Sequence, residues 1–367
     1  MSEWRNWHIY YTELDRFIRS CLAPVLDRYS TGLETYFFER HYAGGAHLRV
    51  RVRGTSQVLD QFSPGLVREV ENYIASYPSL PVTNYSERGS VKLLAMEEDD
   101  AEGSDLTYHV NEILSRPYGR LEHRLASNEA AALLEQFLHD AIPLCMAVLN
   151  SNRPKLDEGL RLCLLEALLV SGSLSAGCLS FKSHWEGLAT FYCSEQLVTR
   201  ILARYAEQRL RIFHLIAEVK THYENETICE DQVLDLWRAL INQYSARVKA
   251  ILRAGTPITV QPKSTDEVRA MRASIGENAI DKNPFLRVLW GDERFLASFQ
   301  CEENLLYPRV LTNLLYNLLS LIGLRFIDKT ALCYYAQRGV EEYCNCDLTS
   351  MMARTVGHFV NKHRDRV

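Results

Sequence analysis

From Thr35 to Gly54 the chain reads TYFFERHYAGGAHLRVRVRG: an aromatic run, a Gly44-Gly45 pair, then a strict alternation. His47, Arg49, Arg51 and Arg53 fall on one parity and Leu48, Val50 and Val52 on the other. Side chains on a strand point to opposite faces with period two. The pattern therefore predicts a hairpin, Thr35 to Tyr42 and His47 to Arg53, with one apolar face and one cationic face. Around it, Trp7 to Tyr11 reads as a strand. Leu14, Phe17, Ile18, Cys21, Leu22, Val25 and Leu26 have helical spacing over 14–29, with Pro24 placed to tighten or kink that helix. Residues 57–77 read as a helix ended by Pro78 and Pro81, 91–96 as a further strand, 97–104 as a solvated acidic loop, and 107–117 as an irregular segment or strand.

Beyond residue 128 the period changes to that of helices. The segments 128–149, 156–174, 188–221, 231–252, 305–324 and 328–342 all carry it, and 305–322 is apolar almost all round, which predicts burial. Gly255 to Pro284 holds three prolines and reads as an irregular excursion placed to cover a site. The expected fold class is α+β. A small N-terminal sheet with flanking helices occupies 1–127, and a mostly helical part occupies 128–367, the two packed as one globular unit.

Composition narrows the function. With 47% hydrophobic residues, 24% charged residues and a net charge of −5, the chain is ordinary globular protein without a basic field for nucleic acid. The stretch Val310 to Leu324 contains Thr312, Asn313 and Asn317 and is too short and polar to span a bilayer. The opening MSEWRNWHIYYTELDRF has no signal-like apolar run, so the ten cysteines are expected reduced in the cytoplasm. Cys344-Asn345-Cys346 fits neither a zinc knuckle nor a redox pair. Residues 171–177, SGSLSAG, lack the lysine of a phosphate loop and read as a helix break. Hydrolase, zinc-protease and kinase signatures are missing, so no metal or cofactor is expected.

Candidate chemistry gathers at three places. Arg49 and Arg51 suit a clamp on a carboxylate or peptide carbonyl, because the guanidinium fork gives parallel hydrogen bonds and keeps its charge; the plainer reading pairs them with acids on a neighbouring strand. His47 shares their face, as a proton carrier or a structural hydrogen-bonding group. In Phe181 to Gly187, Ser183 and Glu186 have the spacing of a capping box at a helix start, while Ser183 and His184 would otherwise line a pocket wall. Arg116, Tyr118, Gly119 and Arg120 cluster about Pro117 in a segment joining the two parts.

Taken together these residues resemble the C-terminal region of lantibiotic dehydratases and the stand-alone thiopeptide-type bacteriocin biosynthesis proteins built from it. The opening Trp-x-x-x-Tyr-Tyr strand with Asp15, the run Tyr36-Phe37-Phe38-Glu39-Arg40, and Gly44-Gly45-Ala46-His47-Leu48-Arg49-Val50-Arg51 carry the likeness. Asn111-Glu112, Pro117-Tyr118-Gly119 and Phe181 to Gly187 add to it. The resemblance implies action on a ribosomally made precursor peptide with its leader, beside a separate dehydratase, with a homodimer as an option. Two reactions are implied: elimination of glutamate from glutamylated Ser or Thr, or a formal [4+2] cyclisation of two dehydroalanines with loss of water and leader. Elimination members carry His-x-x-x-Asn-Arg where this chain has Asn313 to Leu318, and an amide is no general acid or base. The cyclisation is therefore the preferred reading, with elimination and a non-catalytic peptide-binding subunit as alternatives. His47, Arg49, Arg51, Tyr118, Ser183 and His184 would act on the reacting groups. Arg40, Arg116, Glu186, Asn313 and Asn317 would hold the peptide. Its leader would dock on the α+β part by strand addition or in a helix groove.

Overall fold

The structure, a computed structural model, describes residues 2–42, 45–80, 109–119, 125–225, 231–258, 277–293, 295–296, 298 and 302–362. The strand expected over 91–96, the acidic tract 97–104 and most of the excursion 255–284 lie outside them. The chain divides into two compact units, Met1–Asn152 with Asn317–Phe326, and Arg153–Tyr316 with Ile327–Val367.

The first unit is built on a four-stranded antiparallel sheet of order β2-β3-β1-β4. Strand β1 (Ser2–Tyr10) pairs with β3 (His47–Thr55) from Ser2↔Thr55 to Tyr10↔His47, and with β4 (Glu112–Arg116) on its other side. Strand β2 (Thr35–His41) forms the edge beyond β3. The first strand starts five residues earlier than expected, because the long β3 offers ladder partners out to Ser2. Trp7, Ile9, Phe38, Leu48, Val50 and Val52 share one face and are fully buried. The helix Ser56–Ser76 covers that face, with the Phe62 ring 6.0 Å from that of Trp7 and the Thr55 hydroxyl accepting from Val58 N at its start.

Proline explains the breaks in the helices of this unit. The helix expected over 14–29 is α-helical at Leu14–Phe17 and Ala23–Tyr29, with a π turn at Ile18–Leu22 between. Pro24 has no N–H to return to the Ser20 carbonyl and its ring needs space there, which the wider turn supplies. The helix expected over 128–149 is two, Asn128–Asp140 and Ile142–Asn150, because Pro143 suits the first turn of a new helix and not the interior of the old.

The second unit is helical. Its central helix, Lys155–Ser171, is buried from Asp157 to Leu168 and packs against Leu174–Phe191, Glu195–Glu224 and Gln232–Arg253. Gly172 ends it in the left-handed conformation at φ 70°, confirming the break expected at 171–177. A Cβ on Gly177 would collide with the Ala167 backbone, so the glycine sets how closely the next helix approaches. Buried Arg161 joins Glu158 at 2.5 Å, Glu218 at 3.0 Å and Asp231. The capping box expected at Ser183 is not there: Ser173 caps the helix Leu174–Phe191 by accepting from Ala176 N, and Ser183 lies mid-helix. Helix Glu303–Leu321 contributes to both units, and Val310, Leu311, Leu314, Leu315, Leu318 and Leu319 on it are buried as its apolar pattern predicted. The α+β expectation, with a small N-terminal sheet followed by helices, holds.

Candidate functional site

Period-two geometry puts the cationic row of β3 beside matching parities of its neighbours. Across from His47, Arg49 and Arg51 stand Tyr10, His8 and Asn6 on β1 and His41, Glu39 and Phe37 on β2. The face is polar yet buried: His47 is 1% exposed, Asn6 2%, His41 4%, Arg51 4%, His8 5% and Arg49 8%. Strand geometry supplies the positions, and the apolar reverse face anchors them to the core.

Three imidazoles stack here. The His47 ring lies 5.1 Å from that of His8 and 5.5 Å from that of His41, with the Tyr10 ring 4.5 Å away. His47 Nδ1 donates to the Gly45 carbonyl at 2.8 Å, and its Nε2 accepts from Arg49 Nε at 3.4 Å. That pattern fixes His47 as a neutral imidazole with a basic Nε2. The Asn6 amide donates to His8 Nε2 at 3.2 Å. Burial, then the charge of Arg49, lowers the His8 pKa to about 2, so His8 too is neutral. The Asn6 carbonyl oxygen is a buried acceptor with no partner among the described residues.

Arg51 is held differently. Its guanidinium lies 4.9 Å from the Tyr118 ring and 5.5 Å from that of Phe37, and it pairs with Glu39. The Trp4 ring packs at 4.9 Å on Tyr118, whose hydroxyl donates to buried Glu135 at 2.8 Å. Arg53 meets Glu34 at 3.2 Å. Acids on or next to the neighbouring strand thus pair with Arg51 and Arg53, as in the plainer expectation. Arg49 donates through Nε to the His47 imidazole.

The structure thus brings His47, Arg49, Arg51 and Tyr118 together. Arg116 shares their parity through its register with Asn6 but is exposed. Arg40 has the opposite parity: its Nε donates to the Leu321 carbonyl at 2.8 Å and its Nη1 to Asp15 at 2.7 Å. It lines a cavity with Asn317.

Ser183, His184, Glu186 and Asn313 belong to the second unit. His184 Nδ1 donates to the Ser180 carbonyl at 3.1 Å, its ring stands edge-on to Tyr316 at 4.8 Å, and burial lowers its pKa to about 4. Glu186 is tied to Lys182 at 3.2 Å and to Asn283 at 2.8 Å, a brace between helices. Ser183 and Asn313 are half-buried on their helices. Nearby in the helical core, Glu166 accepts from the Thr312 hydroxyl at 3.0 Å, and burial pushes its carboxyl up to about 8.

Sequence reasoning did not single out Asn6, His8, Tyr10, Glu39, His41, Glu135 or Glu166. The first five carry the same alternation that exposed the arginine row. Glu135 and Glu166 sit in apolar helical runs that give no such signal.

A sequence profile for the lantibiotic biosynthesis dehydratase C-terminal region matches residues 4–330. Among solved structures, the chain superposes on the pyridine synthase TbtD from thiomuracin biosynthesis at a TM-score of 0.69 and 18% identity, covering 94% of this chain and 99% of that one. It superposes on TsrL at 0.67 and 16% identity, covering 96% and 98%. No curated protein sequence matches it. The resemblance read from the hairpin, the Tyr118 turn and residues 181–187 is borne out over nearly the whole chain.

Proposed function

The chain belongs to the lantibiotic biosynthesis dehydratase C-terminal family, and on that premise we propose that it modifies a ribosomally made precursor peptide in a thiopeptide-type pathway. The proposed reaction is the closure of a six-membered nitrogen ring from two dehydroalanines. The fold it shares with a pyridine synthase supports this reading. The observation that carries it is the buried sheet face on which an arginine, neutral imidazoles, a tyrosine and an unfilled amide acceptor converge.

The chemistry needs no oxidant. The amide preceding one dehydroalanine tautomerises to its iminol, giving a C=C–N=C diene. Diene and second alkene exchange three π bonds for two C–C σ bonds and one new π bond. The iminol oxygen leaves as water, and the leader leaves as its carboxamide, which makes the ring aromatic. Arg49 polarises the amide oxygen and stabilises charge that builds on it. His47 Nε2, released as Arg49 turns to the amide oxygen, takes the amide proton and returns it to oxygen; in the dehydration it takes the proton that a ring methylene loses and delivers it to the departing hydroxyl, which leaves as water. Burial of the face and the Asn6 acceptor hold the backbone so that the alkenes meet, which is catalysis by proximity. A separate dehydratase supplies the dehydroalanines, and the reaction is assigned to the cytoplasm, where precursor peptides are made.

Glutamate elimination remains the second reading, favoured by the paired guanidiniums. It has to proceed without the histidine that Asn313 replaces. One experiment separates them: the purified protein is given a precursor peptide bearing two dehydroalanines, and separately one bearing a glutamylated serine. Cyclisation predicts a product lighter by water and leader from the first. Elimination predicts loss of glutamate from the second. No change in either peptide, with binding retained, overturns both and leaves a binding subunit.

A further inference from the structure

Within the first unit, a cavity of about 60 Å³ lies against the end of β2 and the turn after helix Glu303–Leu321. Arg40, His41, Tyr42, Asn317, Ser320 and Arg325 supply its polar lining together with Glu39, whose carboxylate pairs with Arg51, and Leu138, Leu321 and Leu324 its apolar part. The Arg40 side chain is 4% exposed. Two of its three nitrogens are engaged, Nε with the Leu321 carbonyl and Nη1 with Asp15. The third, Nη2, is buried with no partner among the described residues.

A buried cationic N–H without an acceptor is costly, so a fold that keeps one has something to put there. Arg325 brings a second guanidinium to the same cavity and Asn317 an amide. The volume fits a small planar group with a water or two, not a whole side chain. An anion with two oxygens matches that set: one oxygen to Arg40 Nη2, the other to Arg325 or the Asn317 amide. The leucines beside it suit the carbon that carries the carboxylate.

We propose that this cavity is a carboxylate-binding subsite for the peptide. Arg40 itself has the opposite parity to the His47–Arg49 face, while Glu39 and His41, which share that face's parity, border the cavity as well. The inference rests on the peptide-modifying reading only for the identity of the ligand. The carboxylate is either the C-terminus of a peptide or an acidic side chain, and these are distinguishable.

The test uses the full chain and three probes, N-acetylleucine, N-acetylleucinamide and N-acetylglutamate α-amide, titrated by calorimetry or ligand-observed NMR. N-acetylleucine should bind at least roughly tenfold more tightly than its amide, since the charge-assisted pair is lost with the carboxylate. Tighter binding of N-acetylleucine identifies the C-terminus as the natural group, and tighter binding of the glutamate derivative identifies a side chain. Arg40→Gln should abolish the preference for acid over amide. Should Arg40→Gln not fold, Arg325→Gln carries the same expectation, and the acid–amide comparison on the unaltered protein stands alone. Equal affinity for N-acetylleucine and its amide, with the glutamate derivative no tighter, overturns the proposal. So does a folded Arg40→Gln that keeps the preference. Failure of ring closure with this preference intact would overturn the cyclisation and leave the subsite standing.

Discussion

Glu166 offers a sharp physical test, because its carboxyl is sealed in the helical core. It is 2% exposed, accepts one hydrogen bond from Thr312, and has a second oxygen without a partner among the described residues. Burial raises its pKa from 4.5 to about 8. The folded protein therefore holds a proton that the unfolded chain releases above pH 4.5. Stability contributed by the protonated form is whole below that pH and is lost as pH rises towards 8. At ~1.4 kcal/mol per pH unit, the interval from 4.5 to 7 costs about 3 kcal/mol relative to a neutral side chain of the same shape. Glu166→Gln keeps the acceptor for Thr312 and removes the titration. Urea unfolding of both proteins at pH 5, 6, 7 and 8 measures the difference. The variant should gain on the wild type steadily, from near parity at pH 5 to about 3 kcal/mol at pH 7. A difference that stays constant from pH 5 to 8 would refute the reasoning.

Other consequences are equally direct. His8, with its pKa held near about 2, should make the protein lose stability as pH falls below 6.5, because only the unfolded chain takes the proton. Replacing it with Gln should flatten the acid limb of the urea midpoint by close to one proton, and an unchanged limb would contradict the assignment. Arg161→Met strands Glu158 and its partner carboxylates in the core and should cost about 3–5 kcal/mol in chemical denaturation. Gly177→Ala drives a methyl group into the Ala167 backbone and should cost at least about 2 kcal/mol, read as a lowered melting temperature.

Much of the first unit was legible because strand alternation is a short-range signal. The parity of His47, Arg49 and Arg51 named the face, and the same rule applied to Asn6-x-His8-x-Tyr10 and Glu39-x-His41 would have named its neighbours. Register supplied what alternation does not: that Glu39 lies beside the arginine row and reaches Arg51, and that nine residues of β1 find partners. Ser183 shows the opposite case. Ser-x-x-Glu is also an ordinary i,i+3 pair inside a helix, and the informative residues were Gly172, which ends one helix, and Ser173, which starts the next. Glu135, Glu166 and Arg325 depend on contacts between segments far apart in the chain, and no local pattern marks them. The cavity at Arg40 depends likewise on residues 317–325 coming back to the sheet.

Catalysis at this sheet face requires that the His47–Arg49 pair touch the reacting peptide. The most direct measurement is kcat/KM for product formation, by mass spectrometry on a precursor with two dehydroalanines, in Arg49→Lys and His47→Gln variants whose melting curves match the wild type. Lysine keeps the charge but loses the fork, and glutamine keeps a hydrogen-bonding side chain but cannot carry the proton. Each should lower kcat/KM by roughly a hundredfold or more, the scale seen when a transition-state hydrogen bond or a general base is removed. Wild-type rates in both folded variants would contradict the claim.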